Sequence, residues 1–175
     1  MEKPTKLEHL YRQYARPLYF YLLKLSGSAE LAEDLTQETF VRATISLHQY
    51  DGEEARGWLF KVARNAYLDE WRKQRRQSIP FLSFMRKQDM NSPYGLPEDS
   101  ILSKELGQEL EDLLAFLPEN YRSMLYLREY EDFSYQEIME TMQLTEAQVK
   151  VTLHRARKRL ADLAKKKGWD YDRME

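Results

Sequence analysis

The 175-residue sequence contains no cysteine, which excludes disulfides and thiolate metal sites. No apolar run approaches the roughly 18 residues of a membrane-spanning helix, and the N-terminal residues lack a signal-peptide core. These absences predict a cytoplasmic protein. The three histidines are scattered, and no HExxH, P-loop, G-x-G-x-x-G or G-x-S-x-G motif occurs. We therefore expect no enzymatic activity and no cofactor, metal ion or small-molecule substrate.

Charge is segregated along a chain whose formal net charge is only -2. Residues 105–146 hold eleven acidic residues against Arg122 and Arg128, whereas residues 148–168 hold eight lysines or arginines against Asp162 alone. A local basic face on an acidic body is typical of a protein that touches DNA selectively while it docks on another protein.

Apolar residues recur with helical periodicity along nearly the whole chain, and the alternation typical of strands is absent. We therefore predict an all-α fold with two small helical domains, 1–78 and 104–168, a linker at 79–103 and a tail at 169–175. The predicted helices span about 5–25, Ser28 to Leu47, 55–77, 104–117, 119–131, 134–142 and 145–163. The linker is unusually apolar, which favours either packing on a domain or a place in a partner's groove.

Two helix-start signals follow each other closely in residues 134–160. They are Ser134 to Glu137 and Thr145 to Gln148, in which a hydroxyl and a later Glu or Gln can cap a helix reciprocally. The intervening turn, Gln143-Leu144, lacks the glycine often found there. Two short helices that meet at such a corner predict a DNA-binding helix-turn-helix.

The second of these helices has a buried stripe and a basic outer face. The stripe consists of Val149, Leu153, Ala156 and Leu160. The opposite face would enter the major groove. Its candidate base readers are Val151, His154 and Arg155. Its candidate phosphate contacts are Lys150, Arg157, Lys158 and Arg159. A solvated basic face is the alternative, and the tandem caps argue against it.

The predicted helix at 55–77 mixes aromatic residues with cations. Residues 56–76 contain seven lysines or arginines against two acids, interleaved with Trp58, Phe60, Tyr67 and Trp71. The mixture offers phosphate attraction and planar groups on which unstacked bases can lie, although most of these aromatics are equally explained as core. Asn65 is a candidate base reader because its amide can both donate and accept.

Three segments together resemble the extracytoplasmic-function (ECF) sigma factors of bacterial RNA polymerase. AEDLTQETFVRA (32–43) is similar to the sigma segment that docks on the beta-prime clamp helices. WLFKVARNAYLDEWRK (58–73) is similar to the segment that opens and reads the minus-ten element. The stretches LPENYRSMLYLREYEDFSYQEI and VKVTLHRARKRL are similar to the domain that reads the minus-thirty-five element.

The resemblance implies a role for each matching residue. The docking residues would be Asp34, Gln37, Glu38 and Phe40, with Phe40 as an aromatic anchor and Arg42 in support. At the minus-ten element Asn65 would read a flipped base in a pocket beside the loop 48–55, with Trp58 mainly structural. The cations that would hold the strand are Lys61, Arg64, Arg72, Lys73, Arg75 and Arg76. The base contacts at the minus-thirty-five element would be Lys150, Val151, His154 and Arg155.

The implied partners are core RNA polymerase, through its beta-prime clamp helices and beta flap, promoter DNA and an anti-sigma factor that could hold the protein at the membrane. The resemblance would run the linker through the active cleft of the polymerase. The alternative is a helix-turn-helix regulator that binds duplex DNA without core polymerase, which leaves residues 56–76 without a role.

Overall fold

The computed structural model describes residues 5–47, 55–76, 110 and 112–168. These residues form helices and turns without a strand, which confirms the all-α prediction. The predicted loop at 48–54 and the linker at 79–103 lie outside the described residues.

Six α-helices and one π-helix span most of the described residues. They are α1 (Lys6–Ser26), α2 (Ala29–Ser46), α3 (Ala55–Arg76), α4 (Glu119–Leu125), the π-helix (Tyr126–Tyr130), α5 (Tyr135–Met142) and α6 (Glu146–Lys166). Residues 112–115 add a further helical turn before α4. The helix predicted at 145–163 corresponds to α6, which runs three residues further, to Lys166.

The predicted caps are present at the helix starts. Ser134 accepts a hydrogen bond from the backbone of Glu137, whose side chain accepts one from the backbone of Ser134. Thr145 and Gln148 form the same reciprocal box at the start of α6. Gln143 takes the left-handed conformation (φ 55°) that a glycine usually supplies at this corner.

The single α-helix predicted at 119–131 is wrong in its second half, which winds as a π-helix from Tyr126 to Tyr130. Glu131 N–H donates to the carbonyl of Tyr126 at 3.0 Å, the i to i−5 bond of that geometry. The wider turn stacks the rings of Tyr126 and Tyr130, with centroids 4.9 Å apart. Helical periodicity alone does not distinguish the two windings over a single turn.

The helices on either side of the linker share one continuous core. Tyr21 of α1 is fully buried and its hydroxyl bonds that of Ser123 in α4. Phe60 of α3 lies between Tyr21 and Phe133, with ring centroids 5.1 Å and 4.9 Å away. The N-terminal helices (α1 to α3) therefore pack directly against the helix-turn-helix unit (residues 119–166).

Candidate nucleic-acid interface

The outer face of α6 is exposed as predicted. Val149 and Ala156 are fully buried and Leu153 is 2% exposed, while Leu160 is partly buried. The seven residues of the predicted DNA face are all exposed: Lys150, Val151, His154, Arg155, Arg157, Lys158 and Arg159. Val151 is 46% exposed, so an apolar side chain is accessible among the cations of this face.

Two cations of this face have acidic neighbours. Lys150 lies 3.1 Å from Glu146 one turn earlier, and Arg157 binds the carboxylate of Glu129. Both pairs are more than half exposed, where ion pairs contribute about 0 to 1 kcal/mol. A phosphate can therefore replace either carboxylate at little cost.

The third helix buries one face and leaves Asn65 and Trp58 partly exposed. Gly57, Leu59, Phe60 and Ala63 are on the buried side. Asn65 is at the edge of that face, and Trp58 packs against the core. The loop that would complete a base pocket with Asn65 lies outside the described residues.

The six cations of α3 that are predicted to hold the promoter DNA strand fall into two groups. Arg72, Lys73, Arg75 and Arg76 are exposed at its C-terminal end. Arg72 lies 3.4 Å from Asp69, and Arg75 lies over the Trp71 ring at 5.1 Å. Lys61 and Arg64, in the N-terminal two thirds, instead face the helix-turn-helix unit.

Carboxylates of the helix-turn-helix unit pair with three cations of α3. Arg64 donates two hydrogen bonds to Glu119, at 2.9 and 3.0 Å. Arg56 donates two to Glu137, at 2.6 and 2.7 Å, and Lys61 lies 3.6 Å from Glu140. No pattern in the sequence indicates the first two pairs, because their members are 55 and 81 positions apart.

These ion pairs shift the pKa values of Arg56, Arg64 and Glu137. The hydrogen bonds from Arg56 lower the pKa of Glu137 below its usual value, and those to Glu137 raise the pKa of Arg56. Burial opposes the charge of Arg64, but its hydrogen bonds and attraction to Glu119 outweigh it and raise the pKa of Arg64. All three groups are held in their charged forms.

The predicted docking face of α2 is acidic and exposed, with one correction. Asp34, Gln37 and Glu38 are exposed. Phe40 is only 7% exposed and packs edge-on against Tyr11 at 5.0 Å. The prediction of Phe40 as an aromatic anchor for a partner is therefore wrong, because position 40 faces α1.

Two apolar residues that the sequence analysis missed lie on this face. Val41 is 57% exposed and Ile45 is 73% exposed. Their spacing from Asp34 and Glu38 puts all four on one side of α2, a signal that was available in the sequence. Together with Gln37 they form a stripe, called here the α2 stripe: Asp34, Gln37, Glu38, Val41 and Ile45.

Arg42 borders the α2 stripe and is fixed by two carboxylates. It lies 3.1 Å from Glu38 and 2.8 Å from Asp69 of α3. Burial opposes its charge, but the hydrogen bonds to Asp69 and Glu38 prevail and raise the pKa of Arg42. Arg42 thus ties the stripe to the third helix.

The described residues contain neither a metal-binding cluster nor a membrane-spanning helix. No group of three or more His, Asp or Glu residues there could hold a metal ion. No helix among them has the length and apolarity needed to span a membrane.

Known proteins match the chain across both helical units. Residues 10–77 match the Sigma-70 region 2 family and residues 107–160 match the Sigma-70, region 4 family. The ECF RNA polymerase sigma factor SigM of Bacillus subtilis is 35% identical over 160 residues, covering 90% of this chain and 94% of SigM. The chain belongs to the ECF RNA polymerase sigma factors.

A second relative and a solved structure are also similar to this sigma factor. RNA polymerase sigma factor YlaC of Bacillus subtilis is 31% identical, covering 90% of this chain and 91% of YlaC. The sigma factor RpoE of Bartonella quintana, solved in complex with the anti-sigma factor NepR, superposes with a TM-score of 0.70 at 24% identity. That match covers 90% of this chain and 95% of RpoE, and it bears on the fold alone.

As a sigma factor, the protein binds core RNA polymerase and promoter DNA and directs transcription initiation. Sigma factors are initiation factors rather than enzymes. The exposed face of α6 belongs to region 4, and α3 belongs to region 2.

Proposed function

We propose that α6 reads the minus-thirty-five element through Val151, His154 and Arg155. The observation that carries this assignment is the exposed face of α6, which combines cations with a solvent-exposed Val151. Arginine pairs with guanine edges in the major groove, and an apolar side chain suits the thymine methyl. The cations that we assign to flanking phosphates are Lys150, Arg157, Lys158 and Arg159, with Lys150 also within reach of a base edge.

The minus-ten element is assigned to α3. Asn65 would read a base flipped from the non-template strand, and Trp58 would support the helix from the core side. The cations that we assign to the strand backbone are Lys61, Arg64, Arg72, Lys73, Arg75 and Arg76. The four exposed cations at the C-terminal end of α3 are accessible to a DNA phosphate. Lys61 and Arg64 would first have to break their ion pairs with Glu140 and Glu119.

We assign core docking to the α2 stripe rather than to Phe40. Its exposed acids suit the basic clamp helices of the beta-prime subunit, and Val41 and Ile45 supply the apolar area that an interface centre needs. Arg42 would hold Glu38 in place. The beta flap is assigned to the region 4 unit.

The remaining assignments, of domain bounds, cellular location and regulation, are proposed by analogy with the family. The domain bounds that we propose are 1–78, 79–103, 104–168 and 169–175. The chain would act in the cytoplasm without catalytic activity of its own. An anti-sigma factor, of the kind solved with the Bartonella relative, would control it and could hold it at the membrane.

Gel filtration with purified core RNA polymerase tests the docking assignment. Wild-type chain should co-migrate with core at moderate salt, and the Val41→Asp, Ile45→Asp double variant should not, because charge replaces the apolar centre of the stripe. Val151→Asp is the control, since it adds a charge at an exposed apolar residue of the DNA face of α6, outside the α2 stripe. Co-migration of the double variant would overturn the assignment, and failure of the wild type would favour a regulator that acts without core.

A further inference from the structure

Exposed large apolar side chains gather at one corner of the N-terminal helices. The described residues include six of them, and three lie on adjoining parts of α1 and α2. These three are Tyr11, Val41 and Ile45, with exposures of 46%, 57% and 73%. Clustered exposed apolar side chains mark interaction sites, whereas single ones need no explanation. The α2 stripe includes Val41 and Ile45 but leaves Tyr11 without a role.

The turn between α1 and α2 brings these residues together. Gly27 takes a left-handed conformation (φ 69°) and Ser28 caps α2 directly after it, so the two helices run antiparallel. The N-terminal part of α1 therefore lies beside the C-terminal part of α2. The edge-on contact between Tyr11 and Phe40, with ring centroids 5.0 Å apart, fixes this register.

A groove of about 240 Å³ opens between the two helices at this contact. Its lining is almost entirely apolar and consists of Leu7, Glu8, Tyr11, Arg12 and Phe40. Phe40, 7% exposed, forms the floor, and Glu8 and Arg12 contribute their hydrocarbon stems. A small-molecule pocket usually holds about 300–1,000 Å³ and carries a few placed polar groups. The smaller, apolar groove suits a single apolar side chain of a protein partner instead.

The groove is continuous with the α2 stripe. On the helical wheel of α2, the exposed residues Gln37 and Thr44 lie between Phe40 and Val41. Gln37 is itself part of the stripe. A partner helix that covers Gln37 and Val41 therefore also borders the mouth of the groove.

We propose that core docking extends from α2 onto α1, and that the groove receives an aliphatic or aromatic side chain of the beta-prime clamp helices that cover the α2 stripe. The proposal rests on the assignment of core docking to that stripe. Phe40 stays buried as the floor, so a side chain of the partner enters this protein rather than the reverse. Tyr11 decides which side chain fits, because its half-exposed ring stands beside the opening.

The two parts of the surface define what the clamp helices must present. Asp34 and Glu38 suit basic side chains, and the groove suits an apolar one. Asp34 precedes Phe40 by six residues, so the basic and the apolar contacts lie about 9 Å apart along the α2 axis. The charged contacts accelerate association and weaken with added salt, whereas the buried apolar contact slows dissociation at any salt concentration.

Site-specific photocrosslinking identifies what occupies the groove. The photoreactive residue p-benzoylphenylalanine would replace Tyr11 in the full chain, which is then bound to purified core polymerase and irradiated. We expect a crosslink to the clamp helices of beta-prime, located by mass spectrometry. The same residue in place of Tyr130, an exposed tyrosine of the π-helix, should not crosslink to those helices. A Tyr11 crosslink to another part of core, or none, would overturn the proposal.

The photoreactive residue in place of Val41 separates the two possible failures. If Val41 crosslinks to the clamp helices and Tyr11 does not, docking on the α2 stripe stands and the groove alone is rejected. If neither position crosslinks to them while the chain still supports run-off transcription, the docking assignment itself is wrong.

Affinity for core distinguishes an apolar contact from a charged one. Tyr11→Ala should weaken binding about tenfold, the loss typical of a packed interface residue, and equally at low and moderate salt. Glu38→Gln should lose affinity mainly at low salt. Tyr130→Ala is the matched control, because the Tyr130 ring is 41% exposed and also has a ring contact, with Tyr126 at 4.9 Å. Equal affinity of the Tyr11 and Tyr130 variants for core would overturn the proposal.

Discussion

Thr141 donates a hydrogen bond from its buried hydroxyl to the backbone carbonyl of Gly57, 3.0 Å away and 84 positions earlier in the chain. The bond joins the first helix of the helix-turn-helix to the first turn of α3. It exists because Gly57 carries no side chain: the three heavy atoms nearest to a Cβ at this position all belong to Glu137 and Glu140. At this point the helix-turn-helix unit thus contacts the backbone of α3 directly.

Gly57→Gln should separate the helix-turn-helix unit from α3 while leaving α3 itself intact. The new side chain would enter the space of Glu137 and Glu140, whereas an isolated helix gains from the loss of glycine. We expect a longer, broader distance between spin labels on Glu30→Cys of α2 and Asp162→Cys of α6, with undiminished helical circular dichroism. Glu70→Gln, further along α3, is the control and should keep the wild-type distance. The wild-type distance in the Gly57 variant would contradict the close-packing argument.

Local signals in the sequence predicted the local structure well. The hydroxyls of Ser134 and Thr145 cap helices because the chemistry of a helix start involves only the next three residues. The stripe through Val149 and Leu153 predicted which face of α6 is buried. Such features depend on spacing along the chain, which the sequence displays directly.

Features that depend on distant partners were not predictable in this way. Phe40 was assigned to the wrong face because nothing in its own segment indicates that Tyr11 covers it. The ion pair of Arg64 with Glu119 could not be predicted for the same reason, because the sequence contains many acidic residues that could pair with Arg64. Val41 and Ile45, by contrast, could have been found from their helical spacing with Glu38.

Glu131→Gln should stabilise the fold at neutral pH. Burial raises the pKa of Glu131 above its usual value, so the ionised carboxylate costs stability at pH 7, and that cost disappears as the pH falls below about 4.5. We expect Tm to rise by a few degrees at pH 7, since about 1 kcal/mol corresponds to roughly 2–4 °C at this chain length. The gain should vanish near pH 4.

Thermal unfolding followed at both pH values measures this effect. Asp162→Asn, at an exposed position of α6, is the control for the loss of one negative charge. A gain for Glu131→Gln that is equal at pH 7 and pH 4 would show that burial of the charge is not its source.

Arg155→Ala should relax base preference at one position of the minus-thirty-five element. A side chain that contacts a base contributes about 1–3 kcal/mol of discrimination, whereas one that contacts phosphate weakens all sequences alike. Lys158→Ala is the control, because Lys158 is also exposed on α6 but is assigned to phosphate. Binding of core complexes to single-substituted promoters distinguishes the two, and a uniform loss would reassign Arg155 to the backbone.

Asn65→Ala should impair promoter opening without reducing core binding. Asn65 lies on α3 and is not part of the α2 stripe, and its side-chain amide is the group that can pair with a base edge. Permanganate reactivity of unpaired thymines should fall several-fold, while co-migration with core is unchanged. Asn120→Ala, which removes an exposed amide from α4, should leave opening as in the wild type. Unchanged opening in the Asn65 variant would remove Asn65 from the base pocket.

Run-off transcription with purified core polymerase on a randomised promoter library tests most directly the claim that α3 and α6 read two separate elements. With the wild-type chain, the transcribed promoters should be enriched in two short sequence elements at a fixed spacing. Asn65→Ala should change the enrichment of the downstream element alone, and Arg155→Ala that of the upstream element alone. Absence of transcripts with the wild type, or an equal change in both elements for either variant, would contradict the account.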